Sequence, residues 1–210
     1  MTLTSVFTLY QKLIATLEHF NGLGALAIRL YLAPVMIQAG WNKYSNFSDI
    51  LEWFRNTEWG LGLPFPEVLA FLATATELLG GIFLLLGLFT RLVSIPLMVT
   101  MLVAAISVHW ENGWLAISDS SSWLANGTIY YDESIMQAPD KLAAANAILQ
   151  QHGHYDWLTE SGKFVILNNG IEFAATYFIL LLALLFIGGG RYLSLDYWLT
   201  VAIEKRSNRV

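Results

Sequence analysis

The sequence predicts an all-α membrane protein: a four-helix bundle with an amphipathic N-terminal helix and a large outward-facing loop between the third and fourth spans. Composition is the first observation. Of the 210 residues, 56% are hydrophobic and 13% are charged, and the mean hydropathy is +0.53. Soluble domains are about a quarter charged, and a soluble core of this size cannot hide so much apolar surface. The second observation is four apolar stretches near the roughly 20 residues that cross a bilayer.

The four predicted spans cover about residues 24–44, 66–88, 92–110 and 169–188. Pro34 and Pro96 fall inside the first and third spans, where neighbouring helices can satisfy the freed carbonyls. The whole chain, 1–210, is predicted to form a single membrane domain.

Residues 4–20 precede the first span and have an amphipathic pattern. Apolar side chains recur at helical spacing with polar residues between them: Val6, Tyr10, Leu13, Leu17 and Phe20. We expect a helix that lies on the membrane surface; an ordinary lead-in helix packed on the bundle is at least as good an interpretation as a specific binding role. A signal peptide is not expected, because no basic start precedes a continuous apolar core.

Two segments outside the spans have helical signals of their own. Residues 45–65 mix aromatic and acidic residues, which suits a short helix at the interface. In the long excursion 111–168, Pro139 and Asp140 can start a short helix and Gly153 can end it. The tryptophans of this part suit the head-group region: Trp110, Trp114, Trp123 and Trp157.

The distribution of Lys and Arg predicts the orientation. With both termini in the cytoplasm, the cytoplasmic side carries Lys12, Arg91, Arg191, Lys205, Arg206 and Arg209. The outer side carries Arg55, Lys141 and Lys163, with Lys43 at a span end. We therefore expect a multi-pass protein of the bacterial inner membrane, with the lipid bilayer around it and both ends inside.

Glu77 lies in the middle of the second span, about 16 Å from its outer start at 1.5 Å per residue. A lone carboxylate at that depth is costly, so it needs a partner inside the bundle. Arg29 in the first span is the expected partner. Gly80 and Gly81 follow Glu77 and would let a neighbouring helix come close. The pair has two interpretations of similar weight, a structural bond that fixes helix register and part of a functional site.

A second polar group is predicted nearer the outer surface. Lys43, His109 and Glu172 end or begin three different spans at similar depth, and Gln38 lies one turn below Lys43. Together they predict an outward-opening pocket that suits a quinone head group or a small anion. A surface pair between Lys43 and Glu172 without a cavity is the alternative, and a proton or ion pathway is a third.

Cysteine and histidine limit the chemistry of this chain. It has no cysteine, which excludes disulfides, thiolate metal sites and catalytic thiols. His152 and His154 form an outward His-x-His beside Asp156, a possible copper or zinc site, although two such histidines often only face water. The net charge of −5 argues against nucleic acid as a partner.

The ordered motifs resemble the DoxX family of integral membrane proteins. They are Arg29, "GWNK" at 40–43, "ELLGGIFLLLGLFTR" at 77–91 and "GGGRYLSLD" at 188–196. The resemblance covers about 23–44, 66–110 and 169–198. The long excursion is similar to that of DoxX-like proteins encoded beside the biosynthesis genes of copper-binding modified peptides. Arg29, Lys43, Glu77 and Arg91 occupy positions of the family pattern.

The resemblance implies membrane redox work for some members, including thiosulfate oxidation with electrons passed to quinone, and defence against oxidative stress. This chain has no built-in electron carrier, so a redox role needs a bound quinone or a partner protein. Whether it is an enzyme stays open. Three functions remain: a quinone-interacting redox subunit, a non-enzymatic anchor or scaffold, and a helper in maturation or export of a metal-binding modified peptide, hence copper homeostasis.

Overall fold

The computed structural model describes residues 3–208, and the regular elements in that range are helices. They are α1 (Leu3–Glu18), α2 (Leu23–Ser45), α3 (Phe47–Arg55), α4 (Pro66–Leu86), α5 (Thr90–Ala104), α6 (Glu133–Met136), α7 (Ala138–His152), α8 (Tyr155–Leu158), α9 (Glu172–Ile187) and α10 (Leu195–Ser207). Helix α5 continues through a π-helical turn, Ala105–His109, and a 3₁₀ turn, Trp110–Asn112. The all-α class is confirmed; Arg209 lies outside the described residues.

Within residues 3–208, three helical stretches are long and apolar enough to cross a membrane: Leu23–Ser45, Pro66–Leu86 and Thr90–Asn112. They confirm the first three predicted spans. Pro34 and Pro96 lie inside α2 and α5 as expected.

The predicted fourth span, 169–188, contains a shorter apolar helix, α9, of 16 residues. Helix α9 begins at Glu172, later than predicted, because the backbone N–H groups before it form hydrogen bonds outside the helix. Asn169 has a φ of 60°, and its N–H and that of Gly170 donate to Ala116 O and Leu115 O. Gly188, with a φ of 74°, ends the helix, since glycine adopts this left-handed conformation without a Cβ clash.

The chain forms two compact units. The first is Met1–Thr100 with Tyr177–Val210, and the second is Met101–Thr176. In the first unit, α2 and α4 pack against each other, and fully buried side chains include Leu32, Met36, Leu84, Leu97 and Leu181. The expected short helix after α2 is confirmed as α3, which buries Phe54.

In the second unit, backbone hydrogen bonds join residues 113–118 to residues 166–172. Ser118 N donates to Ile166 O, Ile171 N to Gly113 O and Glu172 N to Trp114 O. The helix expected near Pro139 is confirmed as α7, and Gly153 follows its last residue. Asp132 caps α6 by accepting from the N–H groups of Ser134 and Ile135. The four tryptophans of this unit have exposed rings: Trp110, Trp114, Trp123 and Trp157.

Candidate functional site

The most deeply placed ion pair of the described chain joins α2 to α4. Lys43 Nζ lies 2.6 Å from Glu77 Oε2, and the two side chains are 22% and 7% exposed. The carboxylate is thus nearly enclosed, while the ammonium retains an open edge. Ion pairs in such surroundings require close geometry because both charges lose hydration. The pair joins a charge from the middle of α4 to one near the end of α2.

Two glycines allow the helices to come close enough for this contact. A Cβ on Gly40 of α2 would lie 2.7 Å from Leu78 Cα, and a Cβ on Gly81 of α4 would lie 2.8 Å from Ile37 N. Both distances are too short for real side chains, so the two backbones touch where only glycine fits. As α2 advances from Ile37 to Gly40, its neighbour on α4 retreats from Gly81 to Leu78. The two helices are therefore antiparallel.

This register explains why Lys43 reaches Glu77. Residue 43 lies one turn beyond Gly40 and therefore beyond the level of Leu78. Side chains in an α-helix lean back toward its N-terminus. The long Lys43 side chain therefore runs back along α2, toward the middle of α4, and ends at Glu77.

The expected pairing of Glu77 with Arg29 is wrong. Arg29 is fully buried, but its guanidinium binds backbone carbonyls at the far end of α4. Nε donates to Leu84 O at 2.7 Å and Nη2 to Leu85 O at 3.0 Å. The Arg29 guanidinium is therefore level with residues 84–85 of α4. At a rise of 1.5 Å per residue, that level is about 12 Å along the helix from Glu77. The Arg29 side chain also leans away from the carboxylate.

The other Arg29 donors bind the segment after α9. Nη1 donates to Gly189 O at 2.8 Å and Tyr192 O at 3.3 Å, and Nη2 donates to Leu193 O at 2.7 Å. Arg29 thus satisfies carbonyls at the C-terminus of α4, where a helix favours positive charge, and in a loop without regular hydrogen bonds of its own. The guanidinium is saturated by the protein, which makes it a structural clamp rather than a ligand site.

Asp196 supplies the opposite charge at the same turn. Its carboxylate accepts from Phe89 N at 2.6 Å, just before α5, and from Thr90 N at 2.9 Å, at the first residue of α5. Ser194 Oγ donates to Gly87 O at 3.1 Å. A Cβ on Gly87 would lie 2.6 Å from Arg29 Cζ. An arginine therefore caps the end of α4 and an aspartate the start of α5.

The clamp contains residues that the sequence analysis did not single out. Asp196 and Gly87 lie within quoted motifs, but no role followed for them. Ser194 had a readable signal, since serine before a helix is a preferred N-cap, and it does accept from Tyr197 N. Asp196 is more than a hundred residues away from Phe89 and Thr90 in the sequence, so no local pattern predicts the hydrogen bonds between them.

Three residues of the predicted outer pocket, Lys43, His109 and Glu172, have partners within their own unit. In the first unit, Lys43 binds Glu77 and Gln38 is exposed. In the second, His109 Nδ1 lies 2.9 Å from Asn169 O, and Glu172 Oε2 accepts from Ala116 N at 2.9 Å. The pocket was predicted because its polar groups would otherwise lack hydrogen-bond partners in the membrane. The observed contacts supply such partners, so this argument for a pocket no longer holds. The pocket itself stays a prediction.

The histidine pair has few neighbours that could complete a metal site. His152 is the last residue of α7 and His154 immediately precedes α8. A shallow, open depression there is lined by Gln150, Gly153, His154, Tyr155, Asp156 and Trp157. Across residues 3–208, no three His, Asp or Glu side chains gather in a metal-binding arrangement. Most protein sites for zinc use at least three such ligands.

With the geometry in place, comparison with known families gives one match. Residues 24–110 match the family model of DoxX. Residues 24–110 belong to the DoxX family. The DoxX segment runs from the first turn of α2 to Trp110 at the end of the third candidate span. No curated protein and no solved structure matches the chain.

The DoxX segment contains the complete Lys43–Glu77 pair and the arginine of the clamp. His152 and His154 lie outside it, as do α9 and α10. The membrane helices that carry buried charge are therefore the family's part of the chain. This makes the Lys43–Glu77 pair the first candidate for a functional site in this protein.

Proposed function

We propose that this DoxX-family protein is a membrane accessory subunit that binds a quinone head group at the Lys43–Glu77 pair. The observation that supports it is the unequal exposure of the pair, 22% for the lysine side chain and 7% for the glutamate. An ionisable pair within a membrane span is a functional-site hypothesis by default, and here it has one open edge. Arg29 has no comparable opening, since it is fully buried.

The chemistry of the pair suits a ligand with carbonyl oxygens. The Lys43 ammonium has three donor hydrogens, and one of them is donated to Glu77. A quinone carbonyl could accept from a second hydrogen. Trp41 and Tyr44 flank Lys43 on α2, with ring centroids 5.6 Å apart. Their exposed rings would offer apolar contact to a ligand ring or tail.

The proposed subunit depends on a partner for electrons. The chain has no cysteine, and we propose that a redox protein docked on it reduces the bound quinone. Quinone reduction consumes two electrons and two protons, and Glu77 with Lys43 would pass the protons at this site. The protein partner is thus essential to the redox form of the proposal.

We also propose four membrane crossings, with both termini in the cytoplasm of a bacterial inner membrane. The short helix α9 would be the fourth crossing, and the contacts at its two ends support this. Its first residue, Glu172, bonds to Trp114 O just after the third candidate span. Just past its last residue, Gly188 lies against the Arg91 side chain near the start of that span. A helix tied at both places would run back across the bilayer.

Binding is tested with a double variant that removes the charges together. Lys43→Met with Glu77→Leu keeps apolar volume and leaves no unpaired charge, so it should fold. Purified wild-type protein is first analysed for co-extracted quinone and then titrated with a soluble quinone analogue. We expect at least about tenfold weaker binding in the double variant, the loss of one charge-assisted hydrogen bond.

The matched control removes the exposed pair of Arg55 and Glu67. Arg55→Met with Glu67→Leu should bind the analogue like the wild type. Absence of analogue binding to the wild type, or equal binding in both double variants, would refute the quinone site.

A scaffold is the second candidate function, favoured by α10. This helix buries no residue, and its exposed side chains include Trp198, Leu199 and Ile203. A partner helix could cover that surface without any ligand in the membrane. Gene neighbourhood separates the remaining options: a sulfur oxidoreductase gene supports the redox subunit, and a peptide-modifying enzyme beside a Cys-rich precursor supports a helper in copper-peptide maturation.

A further inference from the structure

Helix α1 presents an uncovered apolar face. At 3.6 residues per turn, its large apolar side chains fall on one half of the helix and its polar ones on the other. No residue of α1 is buried. The apolar half includes side chains more than half exposed, at Leu3, Val6, Phe7, Leu9, Tyr10, Leu13 and Leu17. An apolar strip of this size needs a cover.

The attachment of α1 places it beside the bilayer. Only residues 19–22 separate it from α2, the first candidate span. His19 O accepts from Tyr192 Oη at 3.2 Å, and Arg191 Nη2 donates to the same hydroxyl at 2.8 Å. A Cβ on Gly22 would lie 3.0 Å from Arg191 N. The base of α1 is therefore fixed where α2 begins, at the level at which a spanning helix leaves the hydrocarbon.

The polar half of α1 carries little charge. It has one cation, Lys12, and one anion, Glu18, among hydroxyl and amide residues. Thr8 and Thr16 donate their hydroxyls to carbonyls of their own helix, Thr4 O and Lys12 O, each at 2.9 Å. Helices that bind anionic lipids electrostatically carry several Lys or Arg on the polar face, and α1 lacks such a cluster.

We propose that α1 lies in the head-group region of the bilayer that the DoxX segment crosses, with its apolar half inserted, and that it needs no anionic lipid to do so. The occupant of the apolar face is the acyl and glycerol region of zwitterionic or anionic lipid alike. Binding of this kind scales with buried apolar area rather than with charge. This inference is independent of the quinone proposal.

The absence of cysteine in the chain permits a direct test on the full-length protein. Leu13→Cys places a unique label on the apolar half, and Ala15→Cys places one on the polar half. Neither side chain is buried, so both variants should fold. Each is labelled with a polarity-sensitive fluorophore and reconstituted into neutral phosphatidylcholine vesicles and into vesicles with added phosphatidylglycerol.

We expect the Leu13 label to report an apolar environment in both vesicle types and the Ala15 label to report water. Raising salt roughly tenfold shortens the screening length about threefold, and the Leu13 signal should not respond. It should also be unchanged when the protein is diluted in lipid.

Three results would overturn the proposal. A water-exposed Leu13 label would show that the helix is not inserted. Shielding only with phosphatidylglycerol would show an electrostatic attachment. Shielding that disappears on dilution in lipid would identify a second copy of the chain as the cover.

Discussion

Glu77 and Arg29 are both buried in the DoxX segment, but the protein neutralises them in different ways. Glu77 has one cation, Lys43, at 2.6 Å. Arg29 donates five hydrogen bonds to backbone carbonyl oxygens in two stretches, residues 84–85 and 189–193, and no carboxylate within residues 3–208 bonds to it directly. A pair can be replaced by apolar residues together, whereas a guanidinium spread over many carbonyls leaves each of them unpaired when it is removed.

Removing Glu77 alone should destabilise the protein more than removing both partners. Glu77→Gln leaves the Lys43 ammonium without its counter-charge, at a cost of about 3 kcal/mol. Lys43→Met with Glu77→Leu should recover most of that loss. The measurement is the thermal unfolding midpoint in detergent, followed by circular dichroism. A double variant no more stable than Glu77→Gln would contradict the assignment; Arg55→Gln, at an exposed pair, is the control and should change little.

Arg29→Lys should be nearly as harmful as Arg29→Met. An ammonium cannot copy the planar fork that reaches Leu84, Leu85 and the segment after α9 at once. Each lost bond to a charged donor is worth roughly 1.5–3 kcal/mol, so we expect the yield of folded protein to fall severely. Size-exclusion profiles and unfolding midpoints measure this. Arg191→Lys, at an exposed arginine, serves as the control, and a stable Arg29→Lys protein would show that the clamp is dispensable.

At the scale of elements, the close approach of α2 and α4 depends on glycine. Gly40→Ala would place a methyl group 2.7 Å from Leu78 Cα, and overpacking of this kind costs about 1–3 kcal/mol. Gly24→Ala, in the same helix, meets nothing within 4 Å. It should be neutral or stabilising, because alanine is the better helix former by up to about 1 kcal/mol. The two unfolding midpoints should therefore move in opposite directions, or only that of Gly40→Ala should fall.

The same contact sets the register of the ion pair. If Gly40→Ala separates the helices, Lys43 and Glu77 should separate as well. The losses of stability caused by Gly40→Ala and by Glu77→Gln would then not add in the combined variant, since residues in one network are coupled. Additive losses in the combined variant would show that the pair forms independently of the helix contact.

At the scale of the whole molecule, topology is the main prediction. Reporter fusions after residues 60, 91, 140 and 210 should read outside, inside, outside and inside. The critical position is the last. Helix α9 has 16 residues, about 24 Å at 1.5 Å per residue, which is short of the roughly 30 Å hydrocarbon core. Local thinning of the bilayer can accommodate such a helix.

The fusion at residue 140 controls for the fusion at 210, because both follow the third candidate span. An outside signal at both positions would mean that α9 does not cross and that the two termini lie on opposite sides. An inside signal at residue 140 would contradict the whole topology.

Much of the fold could be predicted from the sequence because its signals are local. Apolar length located α2, α4 and α5, and a proline start with a glycine stop located α7. The boundaries of α9 could not be predicted, since they depend on pairing with residues 113–116, which lie far away in the chain. At the candidate site, the sequence indicated that Glu77 needs a cation, but depth alone pointed to Arg29 and grouped Lys43 with Glu172 nearer the outer surface.

The sequence by itself determined that this chain is a membrane protein with an amphipathic leading helix and a carboxylate that must be neutralised, because these properties follow from composition and periodicity. Only the tertiary structure decided that the partner is Lys43 and that Arg29 joins α4 to the segment after α9. The physical reason is register: glycine contacts set how far α2 slides along α4, and the lean of helical side chains then selects which charge each one meets.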